Sequence, residues 1–201
     1  KKNPVAYNTQ TVTERAEATV RTVSNTVKSE TEQAAEDFEK LAAKERTELT
    51  LPDGQKISFF KDSYEHLVVD YLKSGKYKNA SADELKGNWF AFDNIDFKFD
   101  STNELTDGSR EQLNNLAAIL KSYPDAKIKI GGLADNVGGK TVNMEISEAR
   151  ANYIKSELVK NGIAANRIST EGFGKEFAKI PATASDAQRA PDRSIAMRFD
   201  R

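Results

Sequence analysis

The sequence predicts an α/β protein: a two-layer sandwich whose βαβαβ-β mixed sheet carries helices on one face, preceded by a small β-hairpin/helix piece and an N-terminal helix. Three observations carry that prediction. Apolar and polar residues alternate around Ile95, Phe97 and Phe99, around Ile128 and Ile130, and around Ile195, Met197 and Phe199, the period of strands with one buried face. Between these runs, apolar residues recur at helical spacing. Strands separated by helices imply crossovers packed on a sheet, and alternation in the strands leaves the second face partly wet.

Composition narrows the classes of function. The 201 residues allow one medium domain, or one domain with an extension, and 38% hydrophobic content is low for a chain that is all core. A net charge of -1 gives no field that would draw the whole molecule onto nucleic acid. With no cysteine, disulfides, thiolate catalysis and thiolate metal sites are excluded. One histidine, His66, leaves little for a histidine dyad or metal site, and it is expected at the surface. No activated serine motif and no metal-ligand spacing is present, so the chain is read as a non-enzyme without cofactor or metal. No run reaches the ~20 apolar residues of a membrane span. Starting at Lys1, the chain reads as a mature or trimmed form, with membrane attachment expected from a part upstream.

Taken in order, residues 1–48 are expected to form a polar spacer helix. No glycine or proline interrupts the stretch from Thr11 to Arg46, and Val20, Val27, Ala34 and Leu41 recur every seven residues, while charges fill half the companion seam. Residues 49–88 are expected to be a small βα subdomain docked on the core. Pro52-Asp53-Gly54 between apolar alternations signals a hairpin, and Tyr64, Leu67, Val68, Tyr71 and Leu72 make one helical face ended by Gly75. Trp89, Phe90 and Phe92 are the expected docking surface.

Residues 89–201 are the expected main domain. Its first strand is placed at Ile95–Phe99, followed by a helix with Leu113, Leu116, Ala117 and Leu120 inward and Pro124 beyond its end. A second strand holds Ile128 and Ile130 and runs to Gly131-Gly132. A long helix from about Lys140 to Asn161 is expected to bury Val142, Ile146, Ala149, Tyr153, Ile154 and Leu158. A third strand from Arg167 to Glu171 precedes Gly172-Phe173-Gly174, and a polar loop from Lys175 to Pro191 is expected to be a surface cover without chemistry of its own. Ile195, Met197 and Phe199 form the last strand.

The candidate site lies where the second strand meets the long helix. Asp135 stands at the strand tip, before glycines that permit a tight turn. Asn143, Ser147 and Arg150 form a polar stripe on the helix, and the helix start directs unpaired N–H groups into the same region. A carboxylate beside a guanidinium suits a zwitterion, with an ammonium on the Asp and a carboxylate held bidentately by the Arg. From spacing alone a plain surface ion pair between Asp135 and Arg150 is an equal reading.

Ala134-Asp135-Asn136-Val137-Gly138, followed by Asn143-Met144-Glu145-Ile146-Ser147-Glu148-Ala149-Arg150-Ala151, resembles the signature of the OmpA-like C-terminal domain family. Gly162 with Arg167, Gly172-Phe173-Gly174 and Phe97-Lys98-Phe99-Asp100-Ser101 fit the same family, so the resemblance covers about half the chain, from Asn94 to Arg201. It implies non-covalent peptidoglycan binding, with Asp135 and Arg150 gripping the zwitterionic end of diaminopimelate, Asn143 lining the pocket and Thr102 contributing after the first strand. The chain departs from the family at Ala134, where a threonine is usual, at Ile146 for leucine, and at Asp192-Arg193-Ser194 for Asn-Arg-Arg. The implied role is a periplasmic tether between the wall and the outer membrane or an envelope complex. The alternative is an envelope protein-interaction or assembly module, with a protein partner on the N-terminal helix and weak or lost wall binding.

Overall fold

The computed structural model describes residues 45–98, 101–106 and 108–201. The spacer helix expected in residues 1–48 falls mainly outside these residues. Arg46–Glu48 already belong to a strand.

Strand β1 (Arg46–Thr50) and strand β2 (Lys56–Phe60) form the antiparallel hairpin, closed at Pro52-Asp53-Gly54, where Gly54 takes φ 87°. Helix α1 (Tyr64–Lys73) buries Tyr64, Val68, Val69 and Leu72 and leaves Leu67 exposed. Two short helices follow, α2 (Lys76–Asn79) and α3 (Ala82–Gly87), the latter opened by a Ser81–Glu84 capping box.

Strand β3 (Trp89–Ala91) begins a four-stranded sheet, continued after helix α4 (Ser109–Ser122) by β4 (Lys127–Gly132), helix α5 (Lys140–Lys160), β5 (Ile168–Gly172) and β6 (Ile195–Asp200). The spatial order is β3-β6-β4-β5; β4 and β5 run parallel across the α5 crossover, and the other pairs are antiparallel. The mixed sheet of the predicted α/β class is present.

The first strand is not where the alternation placed it. Trp89–Ala91 takes the sheet edge, pairing with β6, while Phe97 makes only an isolated bridge to Leu105. The backbone accounting explains the difference. Asp96 donates its N–H to Ser109 Oγ and accepts from Thr106 N–H, and Lys98 N–H goes to the Glu104 carbonyl, so these groups turn toward the start of α4 instead of a neighbouring strand. Ile95 is still buried, and the alternation reported that burial correctly.

One apolar core joins the hairpin, α1, α4, α5 and the inner sheet face. A buried polar network lies within it. Glu65 accepts from Ser63 Oγ at 2.7 Å, Gln112 Nε2 at 3.1 Å and Asn115 Nδ2 at 3.0 Å, and Gln112 also donates to Asp93 at 2.6 Å. Asp93 in turn takes the first N–H of α1, from Tyr64. Arg167 serves a comparable end: its Nε reaches the Ala126 carbonyl, and an Nη donates to Leu120 and Tyr123, closing the C-terminal turn of α4.

Candidate functional site

The end of β4 and the start of α5 come together through missing side chains. A Cβ on Gly132 would stand 2.0 Å from the Ser147 carbonyl oxygen, and one on Gly172 would stand 2.6 Å from the Glu148 nitrogen. Helix α5 therefore lies directly on the backbone of β4 and β5 at this point. Its buried face here is Asn143, Ser147 and Arg150, passing into Ala151, Ile154 and Leu158 farther along. This corrects the expected apolar stripe: Val142 is 53% exposed, and Ala149 is exposed too. The polar side chains are inside because the surrounding loop backbone needs partners.

Each of them finds those partners. Asn143 donates to the carbonyls of Asp135 at 3.1 Å and Val137 at 2.9 Å, fixing the turn in which Gly138 takes φ 90°. Ser147 accepts the Gly174 N–H and donates to the Met144 carbonyl. Beyond Gly132 the strand continues irregularly, with Leu133 N–H on the Ser194 carbonyl and Ala134 N–H on the Gly174 carbonyl. Asp135 is thereby carried into a cleft of about 390 Å³ lined by Phe97, Lys98, Ala134, Asp135, Val137, Asn143, Ile146, Arg150, Asp186, Arg189 and Arg193.

Asp135 and Arg150 thus line one cleft, as the spacing anticipated, and both are buried. Arg150 donates from Nε to the Ser101 carbonyl at 3.2 Å and sits 5.2 Å over the Phe97 ring. Asn143 lines the cleft and shapes it through its contacts to the loop backbone. Thr102 is not among the residues that line the cleft; its neighbour Ser101 meets Arg150 through its main-chain carbonyl.

The segment expected to be an inert cover supplies part of the site. A short helix α6 (Asp186–Arg189), opened by a Ser185–Gln188 capping box, places Asp186 and Arg189 at the cleft, and Arg193 follows. Arg193 donates to Asp135 Oδ2 at 2.7 Å and to Asp186 at 3.0 Å; Arg189 Nε lies 3.7 Å from the same Asp135 oxygen. Asp135 Oδ1 accepts the Val137 N–H at 2.9 Å. Burial pushes the Asp135 carboxyl up. The Arg193 hydrogen bond, the Val137 N–H and the two guanidinium charges outweigh it, so the group is held below the usual carboxylate range. Burial pulls Arg193 down while its two carboxylates raise it by more.

The segment is anchored on both sides. Asn136 donates to the Ile180 carbonyl, and the Asp192 carboxylate takes the N–H groups of Lys179 and Ile180. Asp192 thus does structural work where the resemblance led one to expect an asparagine. Arg193 was signalled by its place in Asp192-Arg193-Ser194; Arg189 carried no sequence signal and is visible only through the fold.

Comparison with known proteins adds to this geometry. Residues 97–193 match the OmpA family. Among similar proteins, outer membrane porin F of Pseudomonas fluorescens is 32% identical over 102 residues, covering 50% of this chain and 31% of the porin. Peptidoglycan-binding protein ArfA of Mycobacterium bovis is 36% identical over 85 residues, covering 42% of this chain and 26% of that protein. The chain therefore spans about a third or less of the length of these relatives. The peptidoglycan-associated lipoprotein of Burkholderia pseudomallei superposes with a TM-score of 0.48 at 25% identity, over 53% of this chain and 89% of that structure. Across residues 97–193 the chain carries a domain of the OmpA family.

Proposed function

We propose that the cleft binds cell-wall peptidoglycan non-covalently, gripping the zwitterionic end of a diaminopimelate residue in the stem peptide. The chain would thereby tether the outer membrane, or an envelope complex in it, to the wall from the periplasmic side. The observation that carries this is the convergence of Asp135 and Arg150 on one cleft within an OmpA family domain. The name of the mycobacterial relative, a peptidoglycan-binding protein, supports it.

The chemistry suits a zwitterion. A carboxylate has about four lone-pair positions, so Asp135 can accept an ammonium beside Arg193 and the Val137 N–H. Arg150 offers a planar fork for a carboxylate, steadied by Ser101 and Phe97. In this proposal residues 1–48 act as a spacer, 49–88 dock on the core, and 89–201 bind the wall. Modest affinity per site suffices, because the wall is a polymer and the tether is confined to it, which raises the effective concentration.

Calorimetry with a diaminopimelate-containing stem peptide tests the reading. Each charge-assisted contact contributes about 1.5–3 kcal/mol, so Asp135→Ala and Arg150→Ala are each expected to weaken binding about tenfold or more. Undiminished binding in both variants would sink the site assignment.

A further inference from the structure

The core lies on one face of the sheet, the face of Ile128, Ile130, Met197 and Phe199. Strand register puts Trp89, Arg198, Gly131 and Ala196 on the opposite face. The two small residues leave a hollow there. A Cβ on Gly131 would stand 2.8 Å from carbons of both the Trp89 and the Phe173 rings, so these rings close directly over bare backbone. Trp89 and Phe173 meet edge to face at 5.6 Å, and Phe173 and Phe177 do the same at 5.5 Å. With Leu133 and Ala196 they line a cavity of about 390 Å³, in which Lys86 is the one charged lining residue. Phe177, on the wall of this cavity, is 54% exposed.

An aromatic ring left in water beside an apolar cavity costs free energy that an apolar group entering the cavity recovers. Aromatic walls around a small desolvated pocket are the makeup of a protein-binding hot spot. The neighbouring surface adds a charge requirement. A second cavity, of about 430 Å³, shares Phe173 and is lined by Lys140, Met144, Gly174, Lys175 and Glu176. Its two lysines outnumber its one carboxylate. Among the described residues neither Lys140 nor Lys175 forms an ion pair, and Lys175 donates to the Gly138 carbonyl at 3.3 Å. On the sheet face itself the charges are matched, Lys129 with Glu171 at 2.9 Å and Arg198 with Asp200 at 3.1 Å. The unbalanced positive charge thus lies in the cavity next to the aromatic one, where it favours a negative partner.

We propose that this face docks an acidic segment of a protein partner, with a large apolar side chain in the Trp89–Phe173–Phe177 cavity and a nearby carboxylate on Lys140 and Lys175. The docking face shares no lining residue with the cleft of Asp135 and Arg150. It therefore stands independently of wall binding and does not compete with it for side chains, so one domain can hold a wall ligand and a protein partner together.

The test selects binders from a random-peptide phage library on the full chain. The most enriched sequence is then made as a synthetic peptide and titrated into the wild type, Phe177→Ser, the double variant Lys140→Glu/Lys175→Glu, and Arg150→Ala. Enriched sequences are expected to join a large apolar residue to a nearby Asp or Glu. Binding to the wild type should change the fluorescence of Trp89, the sole tryptophan, and weaken as salt is added. Phe177→Ser and the double variant should each bind about tenfold or more weakly, and Arg150→Ala as tightly as the wild type. Phe177 and Lys140 are exposed, and unchanged circular dichroism of the variants reports that they are folded. No enrichment, enriched sequences without acidic residues, no response from Trp89, or undiminished binding to Phe177→Ser would each overturn the proposal. Sedimentation of the wild type at rising concentration covers the other occupant: a dimer that Phe177→Ser abolishes would give the face to a second copy of the chain and overturn the proposal as well.

Discussion

Asp135 takes its charge state from residues far along the chain. Its carboxylate is held by Arg193 and faced by Arg189, both from the segment after β5. Because its folded pKa lies below the ordinary value, its contribution to stability is fully present above the unfolded pKa of ~3.9. That contribution disappears as the pH falls through the folded pKa. Asp135→Asn is therefore expected to destabilise the protein by about 1–3 kcal/mol at neutral pH, since it leaves the partly buried Arg193 and Arg189 with Asp186 as their remaining carboxylate. The gap between variant and wild type should shrink below about pH 4. Chemical denaturation of both proteins at pH 7 and pH 3 checks this; a gap that stays constant across that range would show that the carboxylate charge is not what matters. At this scale Asp135, Asn143 and Arg150 were legible in the sequence, because they sit on a strand tip and a helix whose spacing is local. Arg189 was not legible, because its relation to Asp135 depends on how a polar segment folds back.

The elements show the limit of periodicity. The extents of α1, α4, α5 and β4 follow from their apolar spacing and their glycine or proline boundaries. The rotation of α5 does not. Its apolar residues suggest that Val142, Ile146 and Ala149 face inward, but the buried face is Asn143, Ser147 and Arg150. Gly132 and Gly172 allow the helix backbone to touch the strands, and that contact decides the rotation. Gly132→Ala is expected to cost at least the ~1–3 kcal/mol of an overpacked core, because the new methyl meets the main chain of α5, which has no rotamer to escape into. Thermal unfolding of the variant checks this, and a shift of the Ser147 and Gly174 amide resonances would locate the strain. An unchanged melting temperature would mean that α5 can move away from the sheet at little cost.

At the scale of the molecule, the hairpin, α1 and the sheet share one hydrophobic core, and the Glu65–Gln112–Asn115–Asp93 network ties them. Gln112 is the hub: it donates to Glu65 and Asp93 and accepts from the Asn94 N–H. Gln112→Ala removes one donor from the buried Glu65 carboxylate and one from the exposed Asp93, so a loss of about 1–3 kcal/mol is expected. Described residues on both sides of the network should still unfold in a single transition, with fluorescence from Trp89 and far-ultraviolet circular dichroism losing signal together. Two separated transitions in the wild type would show that the hairpin piece is an independent unit. The sequence indicated that the piece must dock. It did not indicate that the docking surface includes a buried glutamate, since a lone acidic residue near a helix start reads as solvated.

The sequence by itself determined the α/β class, the order of strands and helices, the turn that bears Asp135 and the helix that bears Asn143 and Arg150. These depend on local period, on glycine and proline punctuation, and on residues close in the chain. Only the tertiary structure decided which strand takes the sheet edge, which face of α5 is buried, and that Arg189 and Arg193 join Asp135. Those outcomes follow from satisfying backbone and buried charged groups across long separations. Such pairings leave no periodic trace in the sequence, because any of several distant polar residues would serve until the packing selects one.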